Sequence, residues 1–396
     1  MIHSIICSYS EEATMNKYIA GRNRNLAAGL SLDTAALSKY DDIIDLSIGD
    51  VDIGTDRRII EAAAGDAVAG YTHYGDPKGD PELIAEISRM WREDYHIPVG
   101  RDEVLITASA EMGMTLALLA VADPGDEIIT LSPYYPEYRA HIRFVGGVQI
   151  DVPLRESNRY QVDRKALEDA ITEKTKAIII NYPNNPTGAN YDIETLRAIA
   201  EIAEKYDLVV ISDEIYTEYV YDGCFIPIRS IPGMEKRTVT INTFSKNFFM
   251  TGWRIGSVIA DSELIDIMNA INEPLIYSAP SVSQRAALHA LRMRKEICPE
   301  NREVLSRRID YSCRRVSEIP YFSLTKPAGT FYLFPGIEKT GLSSDDFSQL
   351  LFEEKHILVS SGSVFGNAGK GHIRIACNCS IEKLGEAFDR MEELKF

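Results

Sequence analysis

Cysteine is scarce: six in 396 residues, scattered as Cys7, Cys224, Cys298, Cys313, Cys377 and Cys379. So few thiols in a long chain exclude a disulfide framework and read as reduced, intracellular cysteines. Only Cys377 and Cys379 stand close, without the two-residue gap or the second Cys/His cluster of a zinc site. They are expected to be small apolar residues buried in one strand, and no metal site is expected. Positive charge is short as well: 42 Lys and Arg against 59 Asp and Glu leave a formal charge of −17. That excludes a general binder of nucleic acid or anionic membrane, which needs a basic face. A small anionic ligand would need a local positive pocket inside the acidic shell. No apolar run has the length of a membrane helix, and residues 2–6 are too short for a signal-peptide core. The expected location is the cytoplasm. Repeats and low-complexity tracts are missing, and 45% hydrophobic residues exclude wholesale disorder.

What is there alternates. Apolar runs at Val104–Thr107, Glu127–Ser132, Lys176–Asn181, Leu208–Asp213 and Thr238–Thr243 read as strands buried on both faces. Ile193, Leu196, Ile199, Ala200 and Ala203 fall at helical spacing between the third and fourth runs. This alternation predicts an α/β fold with a large, doubly wound, mostly parallel sheet. The last part differs: strand candidates at Thr330–Phe334 and His372–Ala376 flank a helix near Asp345–Lys355, and Ile381–Leu394 reads as an amphipathic helix. At roughly 150 residues per domain the length predicts two or three domains. The expected division is an N-terminal arm or part of the small domain (1–48), a large domain (49–284) and a smaller α+β domain (285–396).

In open α/β sheets, ligands sit at the carboxyl ends of the strands. After Asn181 comes Tyr-Pro-Asn-Asn-Pro-Thr-Gly188; after Val210 come Asp213 and Tyr216; after Asn242 come Thr243, Ser245 and Lys246. After Thr107, Ala-Ser-Ala-Glu-Met-Gly113 opens a helix. A desolvated lysine amine is nucleophilic toward an aldehyde. An acid beneath a pyridine ring keeps the ring nitrogen protonated. A phenol and an amide can bond a phenolate oxygen. Helix-start N–H groups bind phosphate, and Arg254 could add a charge-assisted contact. Each residue alone has a plainer reading: Lys246 as a surface lysine, Asp213 and Ser109 as caps, Tyr216 as packing, Arg374 as a structural ion pair. Their joint order fits pyridoxal phosphate.

The stretch Ser245-Lys-Asn-Phe-Phe-Met-Thr-Gly-Trp-Arg-Ile-Gly256 resembles the Schiff-base motif of class I/II aminotransferases, which are fold-type I pyridoxal-phosphate enzymes related to aspartate aminotransferase. Asn181–Gly188 and Asp213-Glu-Ile-Tyr216 resemble that family's other two signatures, in the same order. Asp45-Leu-Ser-Ile-Gly49, Tyr74 with Gly79, Ser132-Pro-Tyr-Tyr135 and Arg374 extend the likeness from about residue 43 to the end.

The resemblance implies that Lys246 holds the cofactor as a Schiff base and later shuttles a proton. Asp213 would pair with the ring nitrogen, Tyr216 and Asn185 with the 3-oxygen. Tyr135 would stack on the ring, in preference to Tyr134. Ser109, Ala110, Thr243 and Arg254 would hold the phosphate, with Glu111 in the same cofactor-binding loop. Tyr74 would reach the cofactor of a neighbouring subunit, which requires a homodimer. Arg374 would clamp the substrate α-carboxylate beside Gly49, and Asn185 would also touch substrate.

Two positions depart from the family. Glycine is frequent where Ser109 stands. An aspartate-specific branch carries lysine where Glu111 stands, so Glu111 would repel a distal carboxylate. Arg22, Arg24 or an arginine from a partner subunit are candidate replacements with no spacing argument behind them, and solvated surface charge is their plainer reading. Tyr18, Phe331 and Tyr332 could line a pocket for neutral or aromatic side chains or could be core. The segment from Tyr18 to Arg24 would act as a lid. The expected reaction is transfer of an amino group from an amino acid to a 2-oxo acid, by analogy 2-oxoglutarate, in a ping-pong sequence. A cysteine-S-conjugate β-lyase on the same fold is the alternative, and a non-catalytic aminotransferase-like binding domain the third.

Overall fold

The computed structural model describes Tyr18 and residues 40–396. Of the expected N-terminal segment 1–48, only Tyr18 and residues 40–48 are described; Arg22, Arg24 and the lid other than Tyr18 itself lie outside the described residues. Twelve helices are described: α1 (Arg57–Val68), α2 (Pro81–Asp94), α3 (Ala110–Val121), α4 (Glu137–Phe144), α5 (Arg164–Asp169), α6 (Ile193–Lys205), α7 (Phe244–Asn247), α8 (Ser262–Ile276), α9 (Ser281–Arg292), α10 (Arg294–Glu318), α11 (Ser344–Lys355) and α12 (Ile381–Glu392). None of the described helices is long and apolar enough to cross a membrane.

β1 (Ile44–Asp45) belongs to the small sheets described below. Seven further strands form the main sheet: β2 (Val104–Thr107), β3 (Glu127–Ser132), β4 (Val148–Pro153), β5 (Thr175–Asn181), β6 (Val209–Asp213), β7 (Thr238–Thr243) and β8 (Gly256–Ile259). Their order is β2-β8-β7-β6-β5-β3-β4. The pairs from β7 to β4 are parallel, and β8 runs antiparallel to both its neighbours. Strand β5 explains why continuous apolar runs form this layer. Ile178 and Ile180 pack on one face with Leu196 and Ile199 of α6, while Ala177 and Ile179 pack on the other with Leu116 and Leu118 of α3. Side chains alternate across a strand, so both faces must be apolar. Each fully buried isoleucine contributes roughly 2–3 kcal/mol. Helix α6 starts where Asp192 accepts from Thr195 N at 2.8 Å.

Strands β4 and β8 were not anticipated. β4 is an edge strand in which only Val152 is buried and Val148, Asp151 and Pro153 are exposed, so it carries no unbroken apolar run. β8 is only four residues, directly behind the Trp253-Arg254 turn.

The smaller part uses short pieces. β1 pairs in parallel with β10 (Ile357–Leu358). β11 (Ser360–Ser361), β12 (Ile373–Ala376) and β9 (Tyr332–Leu333) form an antiparallel sheet. Ile44, Leu46, Ile309, Val316, Phe347, Leu351, Phe388 and Met391 share its core. Position 285, the expected domain border, falls inside α9. Ala286, Ala287 and Leu291 of that helix pack with Ile59, Leu83 and Trp91 of the large part, and Arg285 pairs with Asp66 and Asp80. The long α10 carries Ile297 in the large core and Ile309 in the small one. We therefore propose a border within α10. Cys377 is buried and Cys379 half-buried, yet neither lies in a strand. β12 ends at Ala376, and Asn378 Nδ2 donates to Asp45 O (3.2 Å) and Ile48 O (2.9 Å), drawing the chain off the ladder.

Candidate active site

At the carboxyl ends of β5, β6 and β7, where register sets Asn181 beside Asp213, a cavity of about 520 Å³ opens between the main sheet and the smaller part. Lys246, Asp213, Tyr216, Asn185, Tyr135, Thr243 and Arg254 line it. So do Ser109, Ala110 and Glu111 at the start of α3, and Gly49 and Arg374 from the smaller part. Tyr74 does not: it is 88% exposed, its ring edge-on to Tyr277 at 5.1 Å. Tyr134 is buried beneath the wall, where it accepts from Arg139 Nη2 at 2.8 Å. Phe331 lies in the core with Tyr216 and Tyr219, whereas Tyr332 lines the cavity.

Lys246 rides on α7, a single turn whose start is capped by Thr243 Oγ1. Its Nζ donates to Gly49 O at 2.6 Å, and Tyr219 OH donates to its carbonyl at 2.8 Å, fixing the backbone. Asp213 ends β6. Its Oδ2 accepts from Tyr138 OH, and its buried Oδ1 has no partner. Burial pushes the Asp213 carboxyl up to about 7; the Tyr138 hydrogen bond opposes this and the Glu111 charge adds to it. A buried acceptor left unpaired is costly, so this oxygen fits an N–H donor entering the cavity.

Arg374 on β12 is buried beneath aromatic rings, its guanidinium 4.6 Å from the Tyr332 centroid and 5.0 Å from that of Phe365. Nη1 donates to Asn185 Oδ1 at 2.9 Å; Nη2 donates to Ser360 Oγ at 3.0 Å and to Ser47 O. Among the described residues neither Arg374 nor Arg254 forms an ion pair. A buried guanidinium without a carboxylate fits an anionic ligand. Tyr216 OH lies 3.0 Å from Tyr332 OH, and burial keeps Tyr216 a neutral phenol.

The start of α3 is bare: no side chain caps it, and Ser109 holds a φ of 97°. A Cβ at Gly256 would meet Ser109 C at 2.9 Å and Ala110 N at 3.0 Å, so only glycine lets β8 approach this turn. Open helix-start N–H groups on a tight backbone cradle fit a phosphate.

Tyr138 and His141 escaped the sequence reading, although both line the cavity. Their signal was the spacing Tyr135, Tyr138, His141, which places three polar rings along one side of α4 and its approach. Glu111 was expected as a bare repelling charge. It instead accepts from Tyr135 OH at 2.8 Å and contacts His141 Nε2 at 2.7 Å.

A lysine, an acid, an amide and unpaired arginines at the open end of a doubly wound sheet define a fold-type I site. The family model "aminotransferase class I and II" matches residues 41–391. An aspartate aminotransferase of Pyrococcus horikoshii is 37% identical over 359 residues, covering 90% of this chain and 91% of the relative. Aromatic-amino-acid aminotransferase 2 of Thermococcus litoralis is 36% identical over 356 residues, covering 89% and 91%. The structure of Thermus thermophilus aspartate aminotransferase with maleate superposes with a TM-score of 0.88 at 30% identity, covering 94% of this chain and 99% of that one. The chain belongs to the class I and II aminotransferases, a family of pyridoxal-phosphate enzymes. It is an aminotransferase.

Proposed function

We propose that the chain moves an amino group from an L-amino acid to a 2-oxo acid, 2-oxoglutarate by family analogy, in two ping-pong half-reactions with pyridoxal 5′-phosphate as cofactor. One observation carries the reading. A single cavity gathers an Asp213 oxygen without a partner, two arginines without a carboxylate and the Lys246 amine. In this reading the phosphate rests on the start of α3, held by Ser109, Ala110 and Glu111 with Thr243 and Arg254. Tyr135 stacks on the ring, Tyr216 and Asn185 hold the 3-oxygen, Asp213 accepts from the ring nitrogen, and Lys246 Nζ holds the group covalently. Tyr74, exposed on its own chain, serves the site of a neighbouring copy in a homodimer.

When bound, the cofactor supplies an electron-poor ring that takes up the pair left on the substrate Cα. The chain does the rest. Arg374 would hold the α-carboxylate by its charge, beside Gly49. Lys246 Nζ, once free, would take the proton from the substrate Cα and deliver it to the cofactor carbon within the same half-reaction, and would move it in the opposite direction in the other half. Asp213 holds the ring-nitrogen proton in place. The burial of Asp213, Asn185, Tyr216 and Arg374 excludes water from these contacts.

The test is a half-reaction screen. Protein loaded with pyridoxal phosphate receives single amino acids without any oxo acid, and its absorbance and products are followed. Release of about one equivalent of oxo acid per site, then a stop until an acceptor is added, is the expected result. Continuous pyruvate and ammonia from a β-substituted amino acid would make the protein a lyase. Near wild-type turnover by Lys246→Ala would overturn the reading altogether.

A further inference from the structure

We propose that His141 is a positioning residue: its ring Nε2 holds the Glu111 carboxylate, and through it the Tyr135 phenol, against the cofactor site. The proposal rests on the reading of Tyr135 as the residue that stacks on the cofactor.

Thr115, one turn beyond Glu111 on α3, sets its hydroxyl 2.9 Å from Glu111 O and 3.0 Å from His141 Nδ1. On the other side of the ring, Nε2 lies 2.7 Å from Glu111 Oε2. Burial works to raise the Glu111 carboxyl, but His141, the Tyr135 hydrogen bond and the Arg254 charge outweigh it, and the group stays below the usual range. It is a carboxylate and can only accept. The 2.7 Å contact therefore has His141 Nε2 as its donor.

The carboxylate is fully shared out: Oε2 to His141, Oε1 to Tyr135 OH at 2.8 Å. The His141 side chain is only 8% exposed, so water does not compete for this bond. Without that donor, Glu111 Oε2 would lose its partner at the turn that receives the phosphate. The Glu111 charge also acts on Asp213, where burial dominates and Glu111 raises the carboxyl further. Tyr135 packs edge-on against Tyr138 at 5.6 Å and 81°, and Tyr138 OH bonds Asp213. Tyr135, Tyr138 and His141 thus set the ring face, the acid and the donor to Glu111 from one stretch of chain.

Two measurements test this. Histidine ¹⁵N NMR of the cofactor-free protein should find hydrogen on His141 Nε2, with its signal shifted in Glu111→Gln. A double-mutant cycle on cofactor affinity follows. His141→Gln should weaken pyridoxal-phosphate binding about tenfold, the worth of one charge-assisted hydrogen bond, and change the visible circular dichroism of the bound cofactor. The same change in a Glu111→Gln background should cost little, since no carboxylate then needs a partner. An equal loss in both backgrounds means packing alone and overturns the proposal. So does a wild-type His141 Nε2 without hydrogen in a protein that loads normally. Failure of wild-type protein to take up the cofactor overturns the functional reading and this role with it. Should His141→Gln not fold, the comparison of wild type with Glu111→Gln carries both readouts: the cofactor's dichroism must change when the carboxylate is lost, and an unchanged band overturns the role.

Discussion

Tyr138 gives its hydroxyl hydrogen to one carboxylate oxygen of Asp213, and the other oxygen of that buried acid has no partner. The two facts belong together. The phenol fixes the carboxyl's orientation without satisfying it, which leaves one acceptor for whatever enters the cavity. Stability is spent here on a vacancy of hydrogen bonding that a ligand N–H would fill.

Removing that carboxyl should stabilise the cofactor-free protein at alkaline pH. Asp213 titrates at about 7 in the fold, against roughly 3.9 in an unfolded chain. Between those values the folded state keeps a proton that the unfolded chain has shed. Its stabilising contribution is therefore complete below about pH 4 and lost as pH rises to about 7. Asp213→Asn has no such window. The melting difference, variant minus wild type, should grow across it and level off above, at no more than about 4 kcal/mol. With cofactor loaded the sign should reverse, because the amide cannot balance a protonated ring nitrogen. A difference independent of pH would count against the raised carboxyl.

Tyr138→Phe removes a bond that lowers the Asp213 carboxyl, so the carboxyl should move further up. At neutral pH more of it would be protonated and less would accept from the ring nitrogen. The half-reaction should slow about tenfold, and the acidic limb of its pH profile should move to higher pH. A slower rate with an unmoved limb would assign Tyr138 to packing.

Arg374→Lys keeps the charge and loses the fork. Lysine cannot bond Asn185 and Ser360 together or lie flat over Tyr332. KM for the amino acid should rise about 100-fold, kcat less, and donors lacking an α-carboxylate should be nearly indifferent to the change. Equal losses with both kinds of donor would detach Arg374 from the carboxylate.

How much of this was legible beforehand follows from how each element is stabilised. The central strands could be read because burial on both faces forces unbroken apolar runs, as in Ile178 to Ile180. The edge strand β4 could not, since one exposed side frees its composition. Residues at strand ends, such as Asp213 and Lys246, stood out by their place after those runs. Tyr138 and His141 did not, because an aromatic or histidine on a short helix has the same sequence pattern whether it packs or bonds. Only the fold brings α4 against the start of α3 and turns Glu111 from a lone charge into the acceptor shared by Tyr135 and His141. The border proposed within α10 was hidden for a related reason: α9 and α10 are consecutive helical patterns, and which core each face meets is a tertiary fact.

The turn at Ser109 gives the last prediction, because its two neighbours pull in opposite directions. Ser109 holds a φ of 97° that an L side chain adopts only under strain. Ser109→Gly should relieve this and stabilise the cofactor-free protein by about 1 kcal/mol, while losing any bond its hydroxyl makes to a bound phosphate. Gly256→Ala works against the same turn. Its Cβ would meet Asn242 O at 2.7 Å as well as Ser109 C, and both are backbone that cannot step aside. It should destabilise by about 1–3 kcal/mol and push the α3 start out of position. Inorganic phosphate separates the two effects. Titrated into cofactor-free protein, it should raise the melting temperature of wild type and Ser109→Gly, and raise that of Gly256→Ala far less. If phosphate stabilises all three alike, the cradle between β8 and α3 is not where the anion binds.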